Sequence, residues 1–314
     1  SKFSRVQFLS AHNQPREDSP LVSVIVRTKN RALLIRDALS SVTLQTYPNI
    51  EAVVVNDGGE SVLEVVKEFR RYIPVTYVEL DREKGRSAAA NEGVRAAGGK
   101  YINFLDDDDL FHAGHIAKLA KYLETTGEKA AYSDCAIARY KWEGEEFSLE
   151  GERKPFRGVD HDLDHLHVFN YIPNMTLMFA KELIEKVGYL DEELDIYEDW
   201  DFWLRIAAHT YIQRLPGITA EYRVFAEHGY DYNEWRFKIY DKHKDYFQTG
   251  NYETWFIKRI DKVYEENRDL RRLLAEKNGG TNPQNFSRQN YFMWVIYKTL
   301  RKVLPNKIFR MLSR

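Results

Sequence analysis

A chain of 314 residues is long enough for one large domain with an appendage, or for two modest domains. With 43% hydrophobic and 30% charged residues it can bury a sizeable core under a solvated surface, and its formal net charge of −2 excludes a protein whose main partner is nucleic acid. The single cysteine, Cys135, excludes an intrachain disulfide and a thiolate zinc cluster, and reads as a small buried side chain suited to a reducing compartment.

The chain opens at Ser1 with neither a methionine nor an apolar signal segment, and it reads as a piece of a longer protein. Residues 1–20 are polar, with Pro15 and Pro20, and form a flexible lead-in. The β-branched run Leu21 to Val26 predicts a buried strand that closes in Thr28-Lys29-Asn30-Arg31. Ala32 to Leu44 has helical periodicity. A second strand, Ala52 to Val55, ends in Asn56-Asp57-Gly58-Gly59, and Glu60 to Arg71 predicts another helix. Val75 to Leu80 is a third strand, Ser87 to Ala97 a helix, and Tyr101 to Leu105 a fourth strand running into Asp106-Asp107-Asp108-Asp109. Strands alternating with helices predict an α/β, doubly wound, mostly parallel sheet, whose ligands sit outside the carboxyl ends of the strands.

Later segments are more varied. Phe256, Ile260, Val263, Asn267, Leu270 and Leu274 form a short heptad seam, which reads either as a homodimer contact through 256–274 or as a helix packed on its own domain. The last 27 residues, Arg288 to Arg314, hold seven Lys or Arg and no acid beside an aromatic run at 291–297. That tail reads as a peripheral membrane contact through 288–314, or as a packed helix with solvated charges. No stretch is apolar for long enough to span a bilayer.

Four aspartates at the end of a buried strand repel one another unless a cation compensates. Hard carboxylate oxygens suit Mg²⁺ or Mn²⁺, which commonly take one or two protein carboxylates and complete their shell with substrate phosphates. Alternation along the strand predicts Asp106 and Asp108 on one side and Asp107 on the other. The competing structural reading is a helix N-terminus, with Phe111 to Leu123 helical and the acids set against its dipole.

Five elements in order resemble the family 2 inverting glycosyltransferases of GT-A fold: Val22 to Arg31, Val53 to Gly59, Ala88 to Gly93, Phe104 to Asp109, and Glu198 to Arg205. The resemblance covers residues 21–225. It implies a GT-A domain (Rossmann-like, mostly parallel sheet flanked by helices) over 21–250, with a helical C-terminal region over 251–314. It implies transfer of a single sugar from a nucleotide-diphosphate donor, UDP or dTDP favoured, to a hydroxyl of a glycan or lipid-linked glycan acceptor. By resemblance Asp57 meets the nucleobase, with Thr28 and Asn30 lining that pocket, and Lys84 and Arg86 contact base or diphosphate. Asp106 and Asp108 match the D-x-D acids, Asp107 counts among the donor-binding residues, and Asp199 matches the catalytic base, with Glu198 as second choice. The chain departs from the family at Asn56, where an acid is common. It also carries Phe225 where many relatives have a metal-ligating histidine, so that His228 is the remaining candidate ligand.

His161, His165 and His167, among Asp160, Asp162 and Asp164, match no zinc spacing and predict a mobile acceptor-side loop. Asn174 to Thr176 precede a strand and are placed near the acceptor. Neither the Gln-x-x-Arg-Trp motif nor the membrane helices of processive synthases are present, which favours single addition. A nucleotidyltransferase, a Rossmann methyltransferase or a dehydrogenase would need a glycine-rich turn after the first strand. A non-catalytic scaffold leaves the carboxylates at 106–109 and 199 unexplained. A cytoplasmic location, at the inner membrane face if the tail engages lipid, is the corresponding expectation.

Overall fold

The computed structural model describes residues 19–225 and 232–247. The chain divides into two units, residues 1–239 and 240–314, and of the second only residues 240–247 fall within that range.

The run after Pro20 forms β1 (Val22–Thr28), with all seven residues buried, as a strand covered on both faces must be. It is followed by α1 (Ala32–Thr43), β2 (Ile50–Asn56), α2 (Leu63–Phe69), β3 (Val75–Glu79), α3 (Arg86–Ala96) and β4 (Tyr101–Asp106). These elements follow the sequence periodicity closely. β3, β2, β1 and β4 lie side by side in that order and all pair in parallel. Val22, Val24 and Val26 join Ile35 and Leu39 of α1 in one core. Ile25 points to the opposite face, where α3 packs so closely that a Cβ on Gly93 would lie 2.3 Å from Ile25 Cγ2.

Beyond β4 the sheet is mixed. β8 (Leu177–Ala180) runs antiparallel to β4, and the long β6 (Ala130–Glu143) runs antiparallel to β8. β9 (Ile212–Val224) is parallel to β6, and β5 (Leu110–Phe111) is antiparallel to β9. β7 (Glu146–Phe156) folds back on β6 in a hairpin that turns through Gly144, whose φ of 72° suits glycine. The parallel half therefore matches the expected doubly wound sheet, and the half after β4 is mixed: β8 enters antiparallel between β4 and β6, and among the described strands only the β6–β7 pair is a hairpin.

Two local expectations need correction. The helix predicted from Phe111 begins later: Leu110 and Phe111 pair with Glu221 and Ala220 of β9, and α4 spans His115–Thr126. The histidine-rich segment expected as a loop contains the short helix α5 (Leu163–Val168), capped by Asp162, whose carboxylate accepts the His165 N–H at 2.8 Å. α6 (Ile184–Val187), α7 (Glu198–Ala207), α8 (Tyr232–Lys242) and α9 (Lys244–Phe247) complete the described helices. The heptad seam at 256–274, the tail at 288–314 and the appendage that contains them lie outside the described residues. Among the described residues no helix is long and apolar enough to cross a membrane.

Candidate active site

The parallel register sets the site. Arg27, one residue before the end of β1, lies opposite Asp106 at the end of β4, and Thr28 lies opposite Asn56 at the end of β2. Facing positions in a parallel ladder share a side, so the Arg27 guanidinium meets the Asp106 carboxylate, donating from Nε at 3.0 Å. Its Nη1 donates to Glu198 at 2.9 Å. Burial works against the Arg27 charge, but Asp106 and Glu198 outweigh it and hold the guanidinium charged. Burial likewise works against ionised Asp106, and Arg27 and Arg86 overcome it, keeping Asp106 below the usual carboxylate range.

The four acids do not continue the strand. β4 stops at Asp106 and the chain turns, with the Asp109 N–H donating to the Asp106 carbonyl at 3.0 Å. The expected alternation survives in the turn: the side chains of Asp106 and Asp108 are 27% and 23% exposed, that of Asp107 only 5%. Asp109 is buried. Thr28 and Arg31 both donate to Asp107, at 2.7 and 2.9 Å, and Arg31 also reaches Asp108 at 3.0 Å. Burial and neighbouring Asp108 push the Asp107 carboxyl up to about 6. Burial and Asp106 raise Asp108, and burial and Asp108 raise Asp109 well above the ordinary range. Arg223 ties the turn to β9, its N–H donating to Asp109 at 2.9 Å and its Nη1 to Asp37 at 2.9 Å.

α7 supplies the remaining carboxylates. Tyr197 adopts φ 63° and swings the chain so that Glu198, Asp199 and Asp201 fill the first helical turn, where the dipole favours acids. Asp201 is buried and pairs with Arg205 one turn on, a structural role. Glu198 is 3% exposed and committed to Arg27, with Arg86 Nε 3.7 Å away. Asp199 keeps partial access to a cavity of about 910 Å³ that Asp106, Asp108 and Asp109 also line. Its Oδ1 accepts the Trp200 N–H at 2.7 Å and its Oδ2 the Asn170 amide at 3.1 Å. Burial and the adjacent Glu198 push the Asp199 carboxyl up to about 7.

The other predicted residues lie around this centre. Asp57 follows β2 and accepts the Lys84 and Gly85 N–H groups, at 2.7 and 3.0 Å, so it fixes the loop that carries Lys84 and Arg86. Asn30, with φ 57°, accepts the Glu60 N–H at 2.7 Å and joins the loops after β1 and β2. Lys84 is exposed near Asp81, and Arg86 opens α3 beside the cavity. Asn174 donates to Asp106 Oδ2 at 3.2 Å and lines the cavity with Met175. Cys135 is buried, and burial pushes its thiol up to about 12. His161 Nδ1 accepts the Ile212 N–H of β9 at 3.2 Å, and His167 Nδ1 meets the Leu163 carbonyl of its own helix at 2.8 Å. His228 lies outside the described residues.

Four site residues were given no role by sequence reasoning: Arg27, Arg31, Asn170 and Arg223. A buried strand ending in arginine beside one ending in aspartate was a signal for Arg27. Nothing local marks Asn170, which reaches Asp199 only through the fold.

The acid turn fits a divalent cation. Its two part-exposed carboxylates, Asp106 and Asp108, are hard oxygen donors, shared with Arg27 and Asn174 at Asp106 and with Arg31 at Asp108. Among the described residues no group of three or more His, Cys, Asp or Glu can hold a metal unaided. An ion such as Mg²⁺ or Mn²⁺ takes one or two carboxylates and leaves its other positions to water and phosphate, and Asp106 and Asp108 are the two that would serve it.

A parallel half-sheet with acids at its carboxyl edge, and a carboxylate facing them across one cavity, is the arrangement of an α/β enzyme whose substrates lie at that edge. The family model for glycosyl transferase family 2 matches residues 23–187, and the chain belongs to that family. The chain is similar to the uncharacterized glycosyltransferase YwdF of Bacillus subtilis, 34% identical over 203 residues, which cover 64% of this chain and 73% of YwdF. It is similar to WcaA of Escherichia coli, provisionally named as a colanic acid biosynthesis glycosyl transferase, 25% identical over 285 residues (84% of this chain, 96% of WcaA). Among solved structures, residues 1–349 of Staphylococcus aureus TarS in complex with UDP-GlcNAc superpose with a TM-score of 0.55 at 20% identity. That match covers 70% of this chain and only 64% of the TarS chain, and at that identity it speaks to the fold.

Proposed function

We propose that this glycosyltransferase is metal-dependent and inverting, and that it moves one sugar from a nucleotide-diphosphate donor to a hydroxyl of a glycan or lipid-linked glycan. The observation that carries this reading is Asp199: a partly accessible carboxylate, oriented by two donors and raised to about 7, in the same cavity as the acid turn. A base of that strength accepts a hydroxyl proton near neutral pH with little loss of driving force. Asn170 and the Trp200 N–H aim its oxygens. Glu198, locked to Arg27, is the weaker choice of base and serves to hold Arg27 and to raise Asp199. Attack by the acceptor oxygen on the anomeric carbon, with its proton passing to Asp199 and the electron pair leaving with the diphosphate, inverts that carbon in one displacement.

Asp106 and Asp108 are the residues that would hold the cation, which when bound supplies Lewis-acid neutralisation of the leaving diphosphate. Asp57, through the loop it fixes, sets Lys84 and Arg86 beside the donor. Thr28, Asn30 and Asp107 complete the donor side. The complexes of TarS with UDP and UDP-GlcNAc put UDP first among the nucleotides to test. Calorimetry with UDP, dTDP, GDP and CDP, with and without Mn²⁺, on the intact protein and on Asp108→Ala, tests the reading. One nucleotide binding in a way that needs both Mn²⁺ and Asp108 supports it. Failure of all four to bind overturns it.

A further inference from the structure

One wall of the cavity has no part in the chemistry described so far. Trp142 and Phe147 face each other across the β6–β7 ladder with ring centroids 5.3 Å apart, near edge-on at 79°. Phe225, just after β9, packs 5.5 Å from Trp142 and 5.1 Å from Phe147. The buried Arg223 guanidinium lies 5.4 Å from the Phe147 centroid and 5.5 Å from that of Phe225, anchoring the rings by cation–π attraction. The same Arg223 binds the acid turn, so the rings are held in a set relation to the reacting centre.

Yet the outermost ring stays open: Trp142 is 46% exposed, and it lines the cavity together with Phe225 and Asp199. Large aromatic side chains fixed in place and left accessible in a cleft mark a binding surface more often than a packing one. Arg139 and Asn174 bring polar groups to the same cavity. A pyranose matches this pattern: one face of axial C–H groups stacks on a π-surface, and the rim of hydroxyls meets amide and guanidinium donors. An acyl chain would leave the polar groups without partners.

We propose that Trp142 and Phe225 form an acceptor subsite that stacks a sugar ring, so that the attacking hydroxyl is presented by a saccharide and not by a bare lipid or peptide. This rests on the reading of Asp199 as the base that faces the acceptor.

The test uses the full chain with UDP and Mn²⁺ and a panel of methyl glycosides and disaccharides of glucose, galactose, mannose and N-acetylglucosamine. Saturation-transfer NMR reads the saccharide, and calorimetry reads UDP. At least one saccharide binds the wild type through its ring C–H protons. Trp142→Ala weakens it about tenfold, the scale of one lost stacking contact, while Trp142→Phe retains most of the affinity. UDP affinity stays within about twofold in both variants, which also shows that they are folded. Should Trp142→Ala lose UDP binding while Trp142→Phe keeps it, the rings belong to the donor and the proposal falls. It also falls if no saccharide binds a wild type that binds UDP, or if Trp142→Ala binds saccharide unchanged. A wild type that binds neither saccharide nor any nucleotide overturns the transferase reading together with the subsite.

Discussion

Asn170 donates its side-chain amide to Oδ2 of Asp199 at 3.1 Å, from a loop 29 residues upstream of the helix that carries the acid. The bond favours the ionised carboxylate. Removing it in Asn170→Ala raises the Asp199 ionisation by about one pH unit, since a hydrogen bond to a charged group contributes about 1.5 kcal/mol and one unit corresponds to 1.36 kcal/mol. The acid limb of the rate profile then moves upward from about 7, and activity at pH 7 falls several-fold while the alkaline plateau changes less. A pH–rate profile of both proteins checks this.

Replacing the acid itself separates activity from stability. Asp199→Asn removes the base and lowers turnover by about 10²–10⁴-fold. The folded carboxyl ionises near 7 against an ordinary 3.8, so its contribution to stability is complete below about pH 4 and is lost as pH rises to about 7. The full difference corresponds to about 4 kcal/mol, and partial solvent access roughly halves it. Asp199→Asn is therefore more stable than wild type by about 2 kcal/mol at pH 8 and equal to it at pH 4. Urea titrations at both pH values decide this, and an unchanged difference between them contradicts it.

Arg27 is the least replaceable residue of the site. Its fork meets Asp106 through Nε and Nη2 and Glu198 through Nη1. Arg27→Gln leaves two carboxylates without their buried partner and costs about 3–5 kcal/mol. Arg27→Lys recovers only part of that, because one ammonium cannot span both acids as a planar fork does. Thermal unfolding at pH 7 measures both, and a lysine variant as stable as wild type would show that the fork geometry is unimportant.

The loop that carries Lys84 and Arg86 rests on one close backbone approach. Gly58, at φ 64°, lies so near the loop after β3 that an added Cβ would sit 2.1 Å from the Arg82 carbonyl carbon. Gly58→Ala therefore forces residues 82–86 away from Asp57, costing about 2–3 kcal/mol of stability. The same displacement weakens nucleotide binding at least tenfold, which calorimetry with UDP reads directly.

The strands and helices up to β4 were legible because each carries a complete local signal. Val22 to Val26 can only be a doubly buried strand, and the alanines of α3 are spaced for close packing on it. The turn after Phe104-Leu105 was legible as a site for the opposite reason: four acids at the end of a buried strand violate ordinary packing. Short-range signals failed where pairing is non-local. Leu110 and Phe111 look like the start of a helix, but Glu221 and Ala220 offer them a strand partner a hundred residues later. The hairpin of β6 and β7 is polar on its exposed face and carries no strong periodicity, so the aromatic wall it builds was not anticipated.

By itself, then, the sequence determined the parallel half-sheet and marked the acid run at 106–109, since residue type and local spacing suffice for each, while the class of the enzyme and the candidate roles of Glu198 and Asp199 came from the family resemblance. Tertiary structure alone decided how those acids divide their work. Arg27 pairs with part-exposed Asp106 and with buried Glu198, Arg31 holds Asp107 and Asp108, and Asp199 is left partly accessible and raised. Charge pairing and desolvation depend on distances between groups far apart in the chain, and no local pattern encodes them.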